Sequence, residues 1–393
     1  GEGTRAMDFD EPEHVSMIRA TLRRFVEAEM PREAARQWDR ENRVPADVMA
    51  RLGDLGLMGL TVPEEYGGAG RDIPAAMAVI EELGKRSMAV AVPYIMCACY
   101  AGMNLVECAS EAQKRELLPR VAEGRLLFAY GWTEPDVGAD LASVRTRAER
   151  EGDQIVINGA KRFCTGAGMA DYIYALVRSG PAEDRYRNLS IVLVPPSTPG
   201  VTITPMDMMG MKGPSTADVT FSDVRVPAAN VIGGEAGWNR GWDFIVGAGL
   251  DVEKLEVAAL ALGVATAAFE DAWEYVQQRE QFGRRICANQ TIRHMLADMR
   301  TQLHACRLMM AHAAWLAQQG RECRVETSMT KLHVCEAGRR IALDAQTILG
   351  AYGYSRDFDV ERLVRESLLM PIIGGSAAIQ RNNIVNWMGL PKS

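Results

Sequence analysis

The stretch "DQIVINGAKRFCTGAGMADYIYALVRS", residues 153–179, decides how the rest of the chain is read. Two runs rich in Val, Ile and Tyr are separated by glycines and polar residues, which is the texture of strands joined by turns. Asn158-Gly159 predicts a hairpin turn, because that dipeptide accepts the positive φ angles of a tight reversal. Downstream, "LSIVLVPP", "GVTITPM" and "ADVTFSDVRVP" repeat the pattern. Residues 125–233 therefore read as a β domain of about 110 residues.

Outward from that block the period changes. Ile18, Leu22, Phe25 and Val26 follow the i, i+4, i+7, i+8 spacing of one buried helical face. "VPEEYGGAG" (62–70) is a glycine-rich break between helices, and "VPYIMCACYAGMNLV" (92–106) is apolar enough for a buried helix. After "NVIGGEAGWNRGW" the amphipathic segments "FEDAWEYVQQREQF" and "ADMRTQLHACRLMMAHAAWLAQQ" suit a helical bundle. The expected fold class is α+β. An N-terminal α-helical domain spans 7–124, a central β-barrel-like domain 125–233, and a C-terminal α-helical domain with a four-helix bundle 234–393.

Composition narrows the function classes. The chain has 393 residues, 48% of them hydrophobic, enough for a large core. Net charge is −7 and no basic cluster carries interleaved aromatics, which argues against nucleic acid as a partner. No uncharged apolar run approaches the ~18 residues of a membrane span, so no membrane association is expected. "GEGTRAMDFDEP" lacks the apolar core of a signal peptide, and Gly1–Ala6 read as a tag remnant before a start at Met7. Eight cysteines without CxxC spacing read as reduced thiols in a cytoplasmic protein. His304, Cys306 and His312 lack the spacing of a zinc site, so no metal is expected. No GxGxxG follows a strand, and neither GxxxxGK[ST] nor GxSxG occurs, which disfavours a Rossmann dehydrogenase, a P-loop enzyme and an α/β-hydrolase.

Five ordered segments then carry a resemblance over essentially the whole chain. "AYGWTEPDVGADLASVRTRA" (129–148) resembles the TEPxxGSD signature of acyl-CoA dehydrogenases, and "INGAKRFCTGAGMADYIYALVR" (157–178) the segment that follows it. "REQFGRRI" (279–286), "LGAYGYSRDFDVERLVRE" (349–366) and "GGSAAIQRNNI" (374–384) resemble the C-terminal signatures of that family. The resemblance implies an FAD flavoenzyme, a homotetramer built as a dimer of dimers, that oxidises an acyl-CoA thioester to the 2-enoyl-CoA. Electron-transfer flavoprotein is the implied acceptor.

The same resemblance implies site residues. Tyr130, Trp132 and Thr133 match residues lining the flavin, with the Thr133 hydroxyl as a donor to its pyrimidine edge. Phe163 matches a ring-packing aromatic and Thr165 the hydroxyl near flavin N5; such donors tune a cofactor's electronics. Taken without the motif, Trp132 and Phe163 read as β-domain core. Arg279 and Gln281 match residues that hold the FAD pyrophosphate of a neighbouring subunit, a contact that suits a bidentate guanidinium, with Phe282 packing nearby. Ala139, Gln290, Thr347, Gly350, Ala351 and Ser376 fall at further cofactor positions, and Asp251, Lys254 and Gly375 at substrate positions. Gly350 and Gly353 also read as a helix C-cap.

Proton abstraction beside a thioester carbonyl needs a nearby base. Many members of the family carry it in a YEGTSQIQR-like motif, and Gly374 stands where that glutamate would be. Isovaleryl-CoA dehydrogenases and crotonobetainyl-CoA reductases place it earlier, in an LDxER pattern that "GLDVEKLEVAALALG" (249–263) matches at Glu253. Gly374 keeps the backbone N–H that polarises the thioester oxygen in the family. Read from the helix alone, Glu253 and Glu256 are first-turn carboxylates that favour the helix dipole, with Asp251 as the cap. Glu256 reads as structural.

Several positions depart from the pattern: Ala139 for serine, Lys254 for arginine, Thr347 for glutamine, Ala351 for glycine, Asn289 for an aromatic. The expected reaction is α,β-dehydrogenation of a short, branched or polar acyl-CoA. Altered chemistry on the same fold (desulfination, enoyl reduction, oxygen use) and a non-catalytic acyl-CoA-binding oligomer are the alternatives.

Overall fold

A computed structural model describes residues 6–392. Gly1–Arg5, most of the segment read as a tag remnant, lie outside the described residues. In chain order the protein is helical, then β, then helical, as expected for an α+β fold. It divides into two compact units: one holds residues up to Arg36, Ile73–Ala91 and everything from Asp251 on; the other holds Gln37–Asp72 and Val92–Leu250.

The second unit is built on a curled seven-stranded sheet. Its strands are β1 (Phe128–Gly131), β2 (Arg147–Glu151), β3 (Gln154–Thr165), β4 (Tyr172–Arg178), β5 (Leu189–Val194), β6 (Val201–Pro205) and β7 (Thr216–Pro227). The strand order is β1-β4-β2-β3-β7-β6, with β5 also paired to β4. The apolar runs of β4 and β5 have a physical cause: Ile173–Val177 and all of β5 are buried, so no polar alternation survives. β6, an edge strand, keeps a largely exposed pattern.

Asn158-Gly159 is not a hairpin turn. Both residues lie inside β3, where the register with β7 shifts between Ile157 and Gly159. A Cβ on Gly159 would stand 2.4 Å from Thr146 Oγ1, so glycine marks a bulge and a close backbone approach. The Asn158 amide donates to Asp223 Oδ1 and accepts from the Asp223 N–H. The reversal lies upstream, between Glu151 and Gln154, and uses Gly152 at φ +63°.

The apolar run at 92–106 is helical, but its middle, Ile95–Met103, is wound as a π-helix. The wider winding disturbs the usual carbonyl pairing. Ala98 O is met by the hydroxyl of Thr61, and a Cβ on Gly102 would sit 2.5 Å from that Thr61 oxygen. With the residues before it, the helical stretch Met88–Cys108 reaches 21 residues and is apolar enough by composition to cross a membrane, contrary to the expectation that no segment comes near that length. Its best window is 83% buried within the protein, so burial in the core accounts for its apolarity.

The first unit is helical. Leu22, Phe25 and Val26 of Glu13–Glu29 are buried as expected, with Ile18 only half-buried and Val15 completing the face. The long helix Ala248–Gln278 is the spine, and it passes its neighbours at glycines. A Cβ on Gly263 would lie 2.5 Å from Glu81 O of the Ile73–Gly84 helix. Gly338 of the Arg324–Leu349 helix would place one 3.2 Å from Ala261 O. Buried acids are matched by arginines: Glu81 and Glu82 by Arg19, and Asp359 by Arg32, Arg36 and Arg362.

A side chain at Gly263 has no room, because the neighbouring atom is backbone that cannot rotate away. Gly263→Val is expected to cost about 1–3 kcal/mol or more, read as a lower thermal midpoint against wild type in the same buffer.

Candidate active site

The helical unit brings together Glu253, Gly374 and Gly375. The Ala248–Gln278 helix starts a turn earlier than the charge pattern suggested. Asp251 therefore lies in the first helical turn rather than at the cap, and Glu253 and Glu256 lie beyond that turn. The helix-dipole reading of Glu253 loses force, since the effect fades within one turn. Glu256 is buried.

Glu253 keeps partial surface exposure, yet its carboxyl group is crowded by protein atoms. That burial pushes its pKa up to about 7, against the opposing charges of Lys254 and Lys331. Lys254 is buried and turned away along its own helix: Nζ lies 3.4 Å from Asp251 Oδ1 and donates to Ser328 Oγ at 3.1 Å. Burial raises the Asp251 pKa and lowers that of Lys254, each opposed by the other's charge.

Gly374 and Gly375 form a turn at φ +65° and +85°, which glycine adopts without strain. A Cβ on Gly374 would meet Val257 Cγ2 at 3.1 Å, one helical turn past Glu253, and Lys331 Cε at 3.8 Å. The Lys331 ammonium donates to Met370 O (3.0 Å) and Gly375 O (2.8 Å). Gln380 Nε2 donates to Gly374 O and Gly375 O, each at 3.1 Å. Ser376 Oγ caps the Ala377–Trp387 helix by accepting from the Ile379 N–H. Lys331 and Gln380 were not singled out from sequence. The signal for Lys331 is its position in "ETSMTKLHVCEAG", on the stripe of Val334, Cys335 and Gly338 that the helix buries.

Another part of the same unit carries Arg279, Gln281, Phe282, Gln290, Thr347, Gly350 and Ala351. Glu280–Gln281 and Arg284–Arg285 form a small hairpin whose tip, Phe282-Gly283, has φ +55° and +74°. Phe282 is 102% exposed there. The Arg279 guanidinium lies 5.4 Å from the Tyr352 ring centroid, which joins the hairpin base to the loop of Gly350 and Ala351. Gly350, at φ +60°, terminates the Arg324–Leu349 helix, so the C-cap reading holds for it. Gly353 is instead packed, a Cβ there lying 2.7 Å from Gln346 O. Gln290 opens its helix, and the Thr347 hydroxyl donates back to Leu343 O.

In the sheet unit, Tyr130 and Trp132 stack with centroids 4.4 Å apart and rings 7° from parallel. Tyr100, from the π-wound segment, stacks on Tyr130 at 3.8 Å, and Asn104 Nδ2 donates to the Tyr130 hydroxyl. Neither Tyr100 nor Asn104 was expected, because π winding leaves no periodic signature. Trp132 Nε1 is a buried donor with no acceptor among the described residues. A second bulge in β3, between Lys161 and Cys164, puts Phe163 at φ +57°, with the residue 50% exposed. Such a conformation is unusual for a bulky residue and commonly sits at functional sites. Thr165 and Thr216 share a hydroxyl hydrogen bond of 3.0 Å, Arg162 N–H donates to Thr133 O, and Ala139 is exposed. A buried indole N–H without an acceptor and an exposed aromatic held in strained backbone fit a flat heteroaromatic cofactor with acceptor edges.

A buried ion pair fixes this loop. Lys161 donates to Glu134 Oε2 (2.9 Å) and Trp132 O (3.0 Å), and Glu134 accepts from the Arg145 and Thr146 N–H groups. Burial brings Lys161 down to about 8 despite the carboxylate beside it, while the lysine and the backbone donors hold Glu134 low against its own burial.

Comparison with known proteins gives consistent likenesses. Profiles of the acyl-CoA dehydrogenase N-terminal, middle and C-terminal domains match residues 12–125, 129–224 and 239–389. An acyl-CoA dehydrogenase of Bacillus subtilis is 37% identical over 373 residues, 95% of this chain and 97% of the relative. An acryloyl-CoA reductase (NADH) of Anaerotignum propionicum is 32% identical, covering 97% of this chain and 95% of the relative. The solved butyryl-CoA dehydrogenase of Megasphaera elsdenii superposes with a TM-score of 0.92 at 30% identity, over 97% of this chain and 100% of that one.

Two outcomes follow from the charges. Removing Lys161 strands the Glu134 carboxylate, so Lys161→Met is expected to destabilise by about 3–5 kcal/mol, measured by denaturant unfolding. A Glu253 pKa of about 7, above the ordinary carboxylate range, means that ionisation opposes folding as pH rises toward that value. Glu253→Gln should therefore raise the thermal midpoint relative to wild type near pH ~8, with the gain shrinking toward pH ~5. Melting curves of both proteins across that range check the sign.

Proposed function

We propose that this chain, which belongs to the acyl-CoA dehydrogenase family of FAD-dependent oxidoreductases, removes the α-proton of a short, branched or polar acyl-CoA with Glu253 as the base. The observation that carries this reading is Glu253 itself: a crowded carboxylate with a pKa of about 7, one helical turn from the residue that packs on Gly374. A base with that pKa is about half ionised at neutral pH and is strong enough to take an activated proton. The Gly374 N–H donates to the thioester oxygen and stabilises the negative charge that builds there. FAD, when bound, would supply the two-electron acceptor for the β-hydride, so that the product would be the 2-enoyl-CoA.

Tyr130, Trp132, Thr133, Phe163 and Thr165 are assigned to the flavin ring, and Arg279, Gln281, Phe282, Gln290, Thr347, Gly350, Ala351, Ser376 and Ala139 to the rest of the cofactor. Asp251, Lys254 and Gly375 are assigned to the substrate side. The division 7–124, 125–233 and 234–393 is the domain scheme that goes with this reading. The hairpin tip supports contact with a second copy, which the assigned homotetramer requires, since a fully exposed phenylalanine gains by being covered. Electron-transfer flavoprotein is the assigned acceptor and the cytoplasm the assigned compartment.

A second reading keeps the residues and reverses the direction. The likeness to an acryloyl-CoA reductase supports it: Glu253 would then return the proton to the α-carbon of an enoyl-CoA.

The test is optical. Under anaerobic conditions, a panel of short, branched, aromatic and charged acyl-CoAs is expected to include one that bleaches the flavin band. Glu253→Gln should slow that bleaching on the order of 100- to 10,000-fold. In wild type the rate should rise with pH through about 7, because only the carboxylate accepts the proton. Full activity of the Gln variant would end the assignment, and bleaching by none of the panel alongside reoxidation by enoyl-CoAs would favour the reductase direction.

A further inference from the structure

Lys331 is fully buried, yet the roles assigned so far give its ammonium no task in the chemistry. A buried ammonium is costly and shifts toward its neutral form unless specific partners hold it. Its partners are Met370 O at 3.0 Å and Gly375 O at 2.8 Å, the two ends of the Met370–Gly375 loop. One side chain thus ties that loop shut. Gln380, 1% exposed, grips the same loop through Gly374 O and Gly375 O. The N–H groups of Gly374 and Gly375 have no acceptor among the described residues. Two adjacent glycines carry the widest conformational freedom in a chain, so a donor built on them is only as well aimed as the groups that hold their carbonyls.

The charge of Lys331 also has a direction. Glu253 and Cys335 are the titratable groups facing it, and Lys254 and Lys331 are the charges facing Glu253. Lys254 is occupied by Asp251 and Ser328. Of these two lysines, Lys331 is the one that touches the glycine loop and also faces Glu253.

We propose that Lys331 is a positioning residue for the reaction: it locks the Gly374–Gly375 donor loop in place and sets a positive charge where enolate-like charge develops. The inference rests on the assignment of Glu253 as base and Gly374 as donor.

Its test uses the FAD-loaded protein and acetoacetyl-CoA, a thioester whose α-carbon is acidic enough to bind as an enolate. An electron-rich enolate against the flavin gives long-wavelength absorbance, so the pH at which that band appears reports enolate stability without turnover. In Lys331→Met the midpoint is expected to rise by about one pH unit or more, a tenfold loss of enolate stability. Affinity for the neutral thioester below the midpoint should stay within about threefold. Gln380→Met, which frees the same loop without removing a charge, should shift the midpoint in the same direction and by less. It carries the test if the lysine variant does not fold with FAD. An unmoved midpoint in a folded variant, or an affinity loss large enough to account for the weaker band, overturns the role of Lys331. Wild-type protein that binds acetoacetyl-CoA with no such band at any pH overturns the underlying Glu253 and Gly374 assignment instead.

Discussion

The helical unit depends on a steric constraint: the Ala248–Gln278 helix can lie where it does only because its crossings carry no side chain. Gly263 meets the backbone of the Ile73–Gly84 helix, and Gly338 of the Arg324–Leu349 helix meets the backbone at Ala261. Backbone-to-backbone packing leaves little slack, which fixes the rotation of the helix about its axis. Rotation decides which face holds Glu253. The same closeness brings Val257 against Gly374 and sets Lys331 beneath the glycine loop. The position of the carboxylate is thus inherited from residues that have no side chain at all.

Electrostatics in this unit follow from the packing. Where acids are buried for structure, as at Glu81, Glu82 and Asp359, arginines reach them at 2.7–3.2 Å. Glu253 is treated differently. No direct ion pair is made to it among the described residues, and the Lys254 ammonium is engaged by Asp251 and Ser328. Burial raises its pKa, whereas the arginines around Asp359 hold that carboxyl low against its own burial. The contrast separates acids tied to the fold by arginines from one that carries no such tie.

How much of this was legible depended on how local each determinant is. The helix–sheet–helix order and the strands from 154 to 227 were visible, because apolar runs and alternation are local signals. Asn158-Gly159 misled for the same reason: the dipeptide permits a turn, but pairing with β7 on one side and Thr146 on the other turned it into a bulge. The start of the Glu253 helix was missed by a turn, since nothing at residues 248–250 resembles a cap signal. Glu253 and Gly374 were both singled out by motif, but their approach through Val257 is a tertiary fact. Lys331, Gln380, Tyr100 and Asn104 escaped because a single polar residue on an apolar face has no partner visible in sequence.

The π-wound segment carries a consequence of its own. A helix that adds a residue per turn over a short stretch has gained a residue without lengthening its neighbours. Removing one residue between Ile95 and Cys99 with that winding kept would turn all that follows by about a quarter of a turn. Tyr100 would leave the face of Tyr130, and Asn104 would lose its phenol. The three-ring stack of Tyr100, Tyr130 and Trp132 is therefore a matter of residue count as much as residue identity. A change of length could dismantle it with all three rings still in the sequence.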